Sequence, residues 1–423
     1  MDAFEIIGGR RLRGTVRVSG AKNAALPQMA AALMATGPVV LAGVPNLSDI
    51  RMLAKILGEL GLETTRDGAD LTMTVGDETR CLARYDLVKQ MRASICVLGP
   101  LLAKRGKAIV SMPGGCAIGD RPVDLHLRGL AALGAEIHLD GGNILAACHR
   151  LKGAEIFMGG PFGSSVLGTA NIMSAAALAE GVTTIEMAAC EPEIVDLAEL
   201  LNAMGAKITG QGTPRIIIEG VDHLTGCKHD LISDRIEAGT FMVAAAITNG
   251  EVTIENCRPE HLVAAIDRLH NIGVNVERNG TSVTVTSARR LSPADVVTQP
   301  FPGFPTDLQA QFMALLCLAD GNSIVTEKIY PDRFMHVAEL NRMGAHLRKE
   351  GPTVIVEGVK KLIGAPVMAS DLRASAALVL AGLCATGVTK ISRVYHIDRG
   401  YENIEQRLNA LGAQINRFDE AAP

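Results

Sequence analysis

The hydrophobic positions of this chain follow a helix–glycine–strand pattern that recurs along its length. In each copy a leucine-rich amphipathic segment stops before a glycine, and a short alternating segment follows, which predicts a helix and then a strand. A glycine at that point favours the left-handed conformation that ends many helices. The six glycines that follow these helices are Gly61, Gly134, Gly205, Gly273, Gly344 and Gly412. Six others directly precede a predicted strand: Gly37, Gly106, Gly181, Gly250, Gly321 and Gly387.

Successive copies lie 68 to 73 residues apart, which is longer than common solenoid repeats. Each unit is predicted to contain a helix, a strand, a second helix and two further strands, which is an α/β arrangement. A chain of 423 residues is also expected to form two or three domains. The pattern therefore predicts six units arranged as two domains of three.

The second unit has the longest interval between its two marker glycines, 28 residues against 23 to 25 in the others. This interval holds the stretch PGGCAIGDRP, which contains Cys116. Extra loop length on a repeated scaffold commonly carries function. Cys116 is thus a candidate reactive thiol, since glycines flank it and Arg121 follows closely; the alternative is a small buried hydrophobic residue.

The composition excludes several classes of function. With 41 basic and 45 acidic residues the net charge is −4, which argues against a general nucleic-acid or anionic-membrane surface. No apolar run could span a bilayer, and the charged start MDAFEIIGGRRLRG does not resemble a signal peptide, so we expect a cytoplasmic protein. Nine cysteines without C-x-x-C spacing predict free thiols, and the scattered histidines predict no metal site.

A few polar residues are candidates for chemistry. Lys22 and Asn23 open a predicted helix, whose N-terminus suits an anion, although Lys22 could equally be a surface lysine. Arg92, Arg121 and Arg399 could bind carboxylate or phosphate in bidentate fashion, or form surface ion pairs.

Asp307 precedes an amphipathic helix and is a candidate N-cap. Asp234 and Asp371 occupy the same place in their own units, where the cap interpretation is stronger.

Motifs in a fixed order resemble the UDP-N-acetylglucosamine enolpyruvyl transferases, within the enolpyruvyl transferase family, from Ile6 to Ile415. The motifs that carry this resemblance are SGAKNAALP, MRAS, PGGCAIGDRPVDLH, EPEIVD, DRIEAGTF, FPTDLQAQF, RFMH, SDLRASAALVLAG and YHIDRGYE.

The resemblance implies a two-domain inside-out α/β barrel, with three units in each domain and the active site in the cleft between the domains. It implies a first domain over residues 22–232, and a discontinuous second domain from residues 1–21 plus 233–423. The stretch FEIIGGRRLRGTVRVSG supports this modestly, because it looks like the linker stretches between later units.

The resemblance also implies an activity. Such an enzyme transfers the enolpyruvyl group of phosphoenolpyruvate to the 3-hydroxyl of UDP-N-acetylglucosamine and releases phosphate, the first committed step of peptidoglycan precursor synthesis. Cys116 would donate a proton and form a covalent adduct, and Asp307 would be the general base. Lys22 and Arg399 would complete the catalytic set. No metal, cofactor or obligate protein partner is implied.

The implied substrate-binding residues are Lys22, Asn23, Arg92, Arg121, Pro122, Val123, Asp124, Leu125, Ser164, Ser165, Val166, Asp307 and Ile329; Arg333 and Arg373 are further candidates nearby. The stretch MGGPFGSSVLGTANIM is longer than the family form to which we compare it, so either Ser164 or Ser165 could contact phosphate. Two alternatives stay open: a shikimate-pathway enolpyruvyl transferase, for which the PGGC loop has no counterpart, and a six-repeat binding protein without catalysis.

Overall fold

The computed structural model describes residues 2–112, 123–287 and 290–420. Three of the candidate residues, Cys116, Arg121 and Pro122, lie outside these ranges. The described chain forms two compact units. One, called here the 20–232 unit, takes its described residues from that range; the other, called the split unit, takes them from residues 2–19 and 233–420.

Short strands are spread over both units. In the first half of the chain they are β1 (Asp2–Ile7), β2 (Arg13–Arg17), β3 (Val39–Ala42), β4 (Leu62–Asp67), β5 (Asp70–Val75), β6 (Leu82–Ala83), β7 (Lys107–Ser111), β8 (Glu136–Asp140), β9 (Asn143–Ala147), β10 (Glu155–Phe157), β11 (Gly159–Gly160), β12 (Gly163–Ser164) and β13 (Val182–Glu186). The remainder are β14 (Lys207–Thr209), β15 (Arg215–Glu219), β16 (Lys228–Asp230), β17 (Glu251–Glu255), β18 (Val274–Asn279), β19 (Ser282–Ser287), β20 (Val296–Val297), β21 (Asn322–Thr326), β22 (His346–Glu350), β23 (Thr353–Glu357), β24 (Pro366–Met368), β25 (Val388–Ser392) and β26 (Ile415–Asp419).

Helices separate these strands. The α-helices are α1 (Lys22–Ala31), α2 (Ser48–Glu59), α3 (Tyr85–Val88), α4 (Leu98–Arg105), α5 (Asp124–Ala132), α6 (Val166–Ala176), α7 (Pro192–Ala203), α8 (Arg235–Ile247), α9 (Val263–Ile272), α10 (Gln309–Leu316), α11 (His336–Arg342), α12 (Leu372–Cys384) and α13 (Ile404–Ala410). Short 3-10 helices cover Ala32–Met34, Arg92–Val97, Pro259–Leu262, Thr306–Leu308 and Val394–Arg399.

The four-stranded sheets of the described residues share one pairing pattern. An edge strand pairs in parallel with the strand that follows a marker glycine, and two antiparallel strands complete the sheet. The orders in the 20–232 unit are β16–β3–β5–β4, β6–β7–β9–β8 and β10–β13–β15–β14. The orders in the split unit are β2–β17–β19–β18, β20–β21–β23–β22 and β24–β25–β1–β26.

The N-terminal strands explain why the split unit is discontinuous. β1 lies antiparallel between β25 and β26, so the start of the chain completes the sheet that its last residues form. β2 then pairs in parallel with β17. The β15–β16 stretch behaves in the same way, because β15 completes one sheet and β16 is the parallel edge of another.

The glycines after the amphipathic helices have the geometry that the sequence predicts. Their φ angles lie between 81° and 107°, which is the left-handed region. Gly273 is the C-cap of α9, and Gly344 follows the last turn of α11. A residue with a Cβ would be strained at these positions, so the glycine ends the helix and turns the chain into the next strand.

The core of the split unit is helical. Almost every residue of α8, α10 and α12 is buried, and these three helices pack on one another. Helices that are apolar on all sides belong in a core, whereas the alternating burial of strands such as β17 leaves one sheet face exposed. Asp234 and Asp371 cap α8 and α12 as predicted, since each carboxylate accepts two backbone N–H groups of the first turn. No helix of the described residues is long and apolar enough to cross a membrane.

An asparagine ties three of the amphipathic helices to the strands that follow them. The Asn341 side chain donates to the carbonyl of Leu347 and accepts from the N–H of the same residue, both at 2.9 Å. Asn202 bonds Ile208 in this way, and Asn409 bonds Ile415. In each case the asparagine side chain pairs with the backbone N–H and C=O of a residue just beyond the glycine turn, as a neighbouring strand would.

We expect Asn341→Ala to lower the free energy of unfolding by about 1–2 kcal/mol, because two part-buried hydrogen bonds are lost. His270 occupies the same place in its own helix, is exposed and makes no such bridge. His270→Ala is the matched control and should change the free energy by less than about 0.5 kcal/mol. Denaturant titration of both variants measures the difference, and equal effects would contradict a bridging role.

Candidate functional site

Asp307 lies at the centre of a charged cluster in the split unit. It sits in the 3-10 turn Thr306–Leu308, and α10 begins only at Gln309 with Leu308 as its N-cap residue. The interpretation of Asp307 as the N-cap of this helix is therefore wrong. The 3-10 turn directs its carboxylate to side chains of other segments instead of to the first turn of α10.

Two arginines hold the two oxygens of this carboxylate. Arg333 Nη1 donates to Oδ1 at 2.8 Å, and Arg373 Nη2 donates to Oδ2 at 2.9 Å. The arginine side chains are only 7% and 3% exposed, whereas that of Asp307 is 24% exposed. Two buried guanidinium groups thus fix a carboxylate that still reaches the surface of its unit. Such charge-assisted bonds are short and directional.

The charges of the cluster set the protonation state of Asp307. Burial by itself would raise the pKa of this carboxyl group. The positive charges of Arg373 and Arg333, together with their hydrogen bonds, outweigh burial and hold the pKa of Asp307 well below its usual range. The carboxylate is consequently ionised throughout the neutral range.

Glu327 supports the Arg333 side of the cluster. This fully buried carboxylate accepts from the hydroxyls of Thr298 and Thr306, at 2.7 and 2.9 Å. The Thr306 hydroxyl in turn accepts from Arg333 Nη1 at 3.0 Å. Glu327 also accepts the backbone N–H of Ile329 at 2.8 Å, which fixes the loop that carries this candidate sugar-nucleotide residue.

Arg399 lies in the same unit, at the end of the 3-10 helix Val394–Arg399, and is half-buried. The segment around it is anchored by Arg417, which donates to both oxygens of Asp398 at 2.6 and 3.0 Å. Burial lowers the pKa of the nearby His396, and the charge of Arg399 lowers it further. The positive charge of this segment therefore comes from Arg399 at its end and Arg393 at its start.

Lys22 is a buried lysine, so its alternative interpretation as a surface residue is wrong. It is the first residue of α1, and its Nζ lies 3.0 Å from Oδ2 of Asp49 in the first turn of α2. Both side chains are less than a tenth exposed. Asn23 follows in α1 and is half-buried. No sequence signal pointed to Asp49, which lies 27 residues away on another helix.

A second group of candidates comes together in the 20–232 unit. Val123 precedes α5, and Asp124 and Leu125 form its first turn. His126, in the same turn, receives a hydrogen bond of 2.8 Å at Nδ1 from the Asn171 amide of α6. Burial lowers the pKa of His126 to about 3, with a further contribution from the charge of Arg92. His126 thus stays neutral in the first turn of α5, where the charge of Arg92 reaches it.

The stretch around Ser165 forms a small hairpin followed by α6. Ser164 belongs to β12, which pairs with β11, and Ser165 is the N-cap of α6. The Ser165 hydroxyl accepts the N–H of Gly168 at 3.1 Å. The hairpin lies against α5, since a Cβ added to Gly160 would be 3.2 Å from a methyl group of Leu125. Leu125 therefore packs against the hairpin that carries Ser164 and leads into α6.

Among the residues that the structure describes, no group of three or more histidine, cysteine or acidic side chains is arranged to hold a metal ion. The Asp307 and Lys22 clusters consist of anionic and cationic groups in direct contact. They are suited to binding anionic substrates and to accepting a proton on a fixed carboxylate.

Comparison with known proteins defines the class. Residues 6–408 match the family model described as EPSP synthase (3-phosphoshikimate 1-carboxyvinyltransferase), and the chain belongs to this family. It is 52% identical to a UDP-N-acetylglucosamine 1-carboxyvinyltransferase of Desulfosudis oleivorans, with 99% of each chain covered. A protein of the same name from Geobacter metallireducens is 53% identical, with 99% of this chain and 100% of that protein covered.

Solved structures agree with this class. The enolpyruvyl transferase NikO from Streptomyces tendae matches with a TM-score of 0.90 at 26% identity, covering 100% of this chain and 99% of that chain. EPSP synthase from Acinetobacter baumannii shares the fold, with a TM-score of 0.74 at 20% identity, covering 99% of this chain and 100% of that chain. The protein is thus a carboxyvinyltransferase-family enzyme of mixed α/β structure.

The depressed pKa of Asp307 makes its contribution to stability depend on pH. An unfolded aspartate has a pKa near about 3.9, and the folded value is lower, so the stabilisation is complete above the unfolded pKa and is lost as the pH falls through the folded pKa. We expect Asp307→Asn to lower the free energy of unfolding by about 3 kcal/mol at neutral pH, because two buried arginines lose their counter-charge.

This difference from the wild type should shrink as the pH falls below about 4, because Asp307 then takes up a proton in the unfolded wild-type chain while the folded carboxylate is still ionised. Denaturant unfolding between neutral and acidic pH measures it. Asp86→Asn is the control, because Asp86 is 78% exposed in its ion pair with Lys89 and should contribute less than about 1 kcal/mol. A pH-independent difference for Asp307→Asn would contradict the ionised state of Asp307.

Proposed function

We propose that this protein transfers the enolpyruvyl group of phosphoenolpyruvate to the 3-hydroxyl of UDP-N-acetylglucosamine and releases phosphate. This reaction is the first committed step toward peptidoglycan, and we propose that it takes place in the cytoplasm. One observation carries the proposal: relatives that are 52–54% identical over 99% of this chain are named UDP-N-acetylglucosamine 1-carboxyvinyltransferase. The Asp307 cluster and the buried Lys22 supply chemistry that fits it.

The proposed reaction is an addition followed by an elimination. The sugar O3 bonds to C2 of phosphoenolpyruvate and loses its proton to Asp307, while Cys116 donates a proton to C3. The resulting tetrahedral intermediate loses a proton from C3, and its C–O bond to phosphate breaks to restore the double bond. The chain's own residues supply both the acid and the base of this sequence.

The ionised state of Asp307 determines when it accepts the proton. A carboxylate that two arginines stabilise is a weak base, and an ordinary sugar hydroxyl is a far weaker acid. Once O3 begins to bond to C2 it becomes strongly acidic, and transfer to Asp307 then becomes favourable. We therefore propose that the proton moves during or after formation of the O3–C2 bond.

The remaining candidates would bind the substrates. We propose that Lys22, Asn23, Arg92, Arg121 and Arg399 hold the phosphate and carboxylate of phosphoenolpyruvate, as multiple cations suit a ligand with two anionic groups. We propose that the sugar nucleotide contacts Arg92, Arg121, Pro122, Val123, Asp124, Leu125, Ser164, Ser165, Val166, Asp307 and Ile329. The proximity of Leu125 to the hairpin before Ser165 supports this assignment within the 20–232 unit.

We also propose that the fold is the two-domain inside-out α/β barrel of six repeated units, three per domain, with domains at 22–232 and at 1–21 plus 233–423. The common strand order of the sheets in both units supports it. The buried helices α8, α10 and α12 beneath half-exposed strands support the inside-out description of the split unit.

We expect phosphate release from phosphoenolpyruvate in the presence of UDP-N-acetylglucosamine and not with shikimate-3-phosphate. Asp307→Ala should reduce this turnover by about 10²–10⁴-fold while the protein remains folded, because a positioned general base is lost. A colorimetric phosphate assay, with circular dichroism as the folding control, measures both. Turnover with shikimate-3-phosphate alone would reject the proposed acceptor, and near-normal turnover of Asp307→Ala would reject the proposed base.

We expect a small phosphonate epoxide such as fosfomycin to alkylate Cys116 selectively, because residues that hold the phosphate of phosphoenolpyruvate would hold the phosphonate beside the thiolate. Burial raises the pKa of Cys96, Cys257, Cys317 and Cys384 to about 12, so these thiols are poor nucleophiles. Burial also raises the pKa values of Cys148, Cys190 and Cys227.

Peptide mass mapping after treatment identifies the alkylated cysteine. Cys116→Asp is the control: it should resist the compound and still turn over, since a protonated carboxyl group can replace the thiol as general acid. Modification of another cysteine, or none at all, would contradict the assignment of Cys116.

A further inference from the structure

The Tyr401 hydroxyl is a meeting point for polar side chains from three buried helices. It lies 2.8 Å from the Thr240 hydroxyl of α8, 3.3 Å from the Gln311 amide nitrogen of α10 and 3.1 Å from Nη1 of Arg373 on α12. Tyr401 is 1% exposed. Its hydroxyl therefore has no access to solvent and serves only this network.

The hydrogen-bond directions in this network follow from its chemistry. The Thr240 hydroxyl donates to the carbonyl of Ile236 at 2.8 Å, so the Tyr401 O–H is left to donate to Thr240. The tyrosine oxygen then accepts from Arg373 Nη1, and the Gln311 amide nitrogen is shared between this oxygen at 3.3 Å and the Thr240 hydroxyl at 3.2 Å. The Gln311 amide also donates to the backbone carbonyl of Asp307 at 2.9 Å. Tyr401 thus connects to Asp307 through a side chain and through the backbone.

The geometry points to Tyr401 as a positioning residue, whose hydroxyl orients the Arg373 guanidinium so that its other nitrogen holds the Asp307 carboxylate. Because a guanidinium group is planar, fixing Nη1 on Tyr401 also fixes the direction of Nη2, which donates to Asp307. Arg333 holds the other carboxylate oxygen. The inference rests on the proposed role of Asp307 as the base.

If Tyr401 served only to pack the core, Tyr401→Phe should have little effect on Asp307. The Arg373 guanidinium lies 5.5 Å from the centre of the Tyr401 ring, a cation–π contact that a phenylalanine would keep. Tyr401→Phe therefore removes the hydroxyl and retains the ring, its packing and its contact with Arg373. Any loss of Asp307 alignment in this variant is due to the hydroxyl.

The first measurement is steady-state kinetics with phosphoenolpyruvate and UDP-N-acetylglucosamine. We expect Tyr401→Phe to lower kcat by about 10-fold and to change both KM values by less than about twofold, because a misaligned base slows the chemical step and leaves substrate binding intact. Tyr85→Phe, the same deletion at a tyrosine that is 57% exposed in the 20–232 unit, should leave kcat unchanged. An unchanged kcat in Tyr401→Phe, with Asp307→Ala inactive, would overturn the inference and leave the proposed function standing.

A double-mutant cycle then tests the route through Arg373. Arg373→Lys removes the planar fork that links Tyr401 to Asp307. If the hydroxyl acts through this fork, Tyr401→Phe should lower kcat by less than about twofold in the Arg373→Lys background. Additive losses would show that Tyr401 acts independently of Arg373 and would overturn the inference.

A third measurement does not depend on turnover. The carboxyl carbon of Asp307, labelled with carbon-13 and assigned from its absence in Asp307→Asn, reports its titration by NMR. The charged groups around it are Arg333 and Arg373, with Asp371 close to Arg333 and Asp234 close to Arg373. Tyr401→Phe should raise the pKa of Asp307 toward its ordinary value, because a loosened Arg373 stabilises the carboxylate less, whereas Tyr85→Phe should not change it.

An unchanged Asp307 titration in Tyr401→Phe would overturn the inference even if the proposed substrates are wrong. Should Tyr401→Phe not fold, Thr240→Val removes the acceptor of the Tyr401 hydroxyl, loosens the oxygen that holds Arg373 Nη1, and should change kcat and the pKa of Asp307 in the same directions by smaller amounts. Circular dichroism and denaturant unfolding of each variant separate a folding defect from a loss of alignment.

Discussion

The neutralisation of two buried guanidinium groups is the constraint on which the split unit depends. Arg333 and Arg373 lie among helices whose other buried positions are largely apolar, and a buried charge without a partner is strongly destabilising. Asp307 contacts both arginines, Asp371 and Asp234 add negative charge close to Arg333 and Arg373, and the position of Asp307 is set by the 3-10 turn that delays the start of α10. The same contact that permits the charges to be buried thus produces an aligned, ionised carboxylate at the surface of the unit.

Comparison of three units shows how the contacts of Asp307 differ from those of the equivalent aspartates. Asp234, Asp307 and Asp371 precede helices α8, α10 and α12, which pack together. Asp234 and Asp371 each satisfy backbone N–H groups of their own helix. Asp307 is held instead by side chains of two other segments. The equivalent aspartate thus caps a helix in two units, whereas in the third its carboxylate is left available for the role that we propose.

The features that sequence could predict are the local ones. The glycine turns and the caps at Asp234 and Asp371 depend on residues within a few positions, so their patterns are visible in the chain. The partners of Lys22 and Asp307 lie 26 to 66 residues away on other elements, and no spacing rule connects them. The contacts of the Tyr401 hydroxyl cannot be predicted from the sequence either, because its partners lie on three different helices.

The geometry of the cluster also determines what Asp307 can do. Each oxygen already accepts a charge-assisted hydrogen bond, so a proton must be taken up against two nearby positive charges. Such a carboxylate is too weak a base to deprotonate an ordinary hydroxyl. It is, however, fixed in orientation and always ionised at neutral pH. In the role of general base that we propose for it, it becomes effective only when the donor is made acidic by bond formation to carbon. If Asp307 is the base that we propose, its contacts with Arg333 and Arg373 favour a mechanism in which carbon–oxygen bond formation leads and proton transfer follows, and the alignment of Arg373 then affects the chemical step.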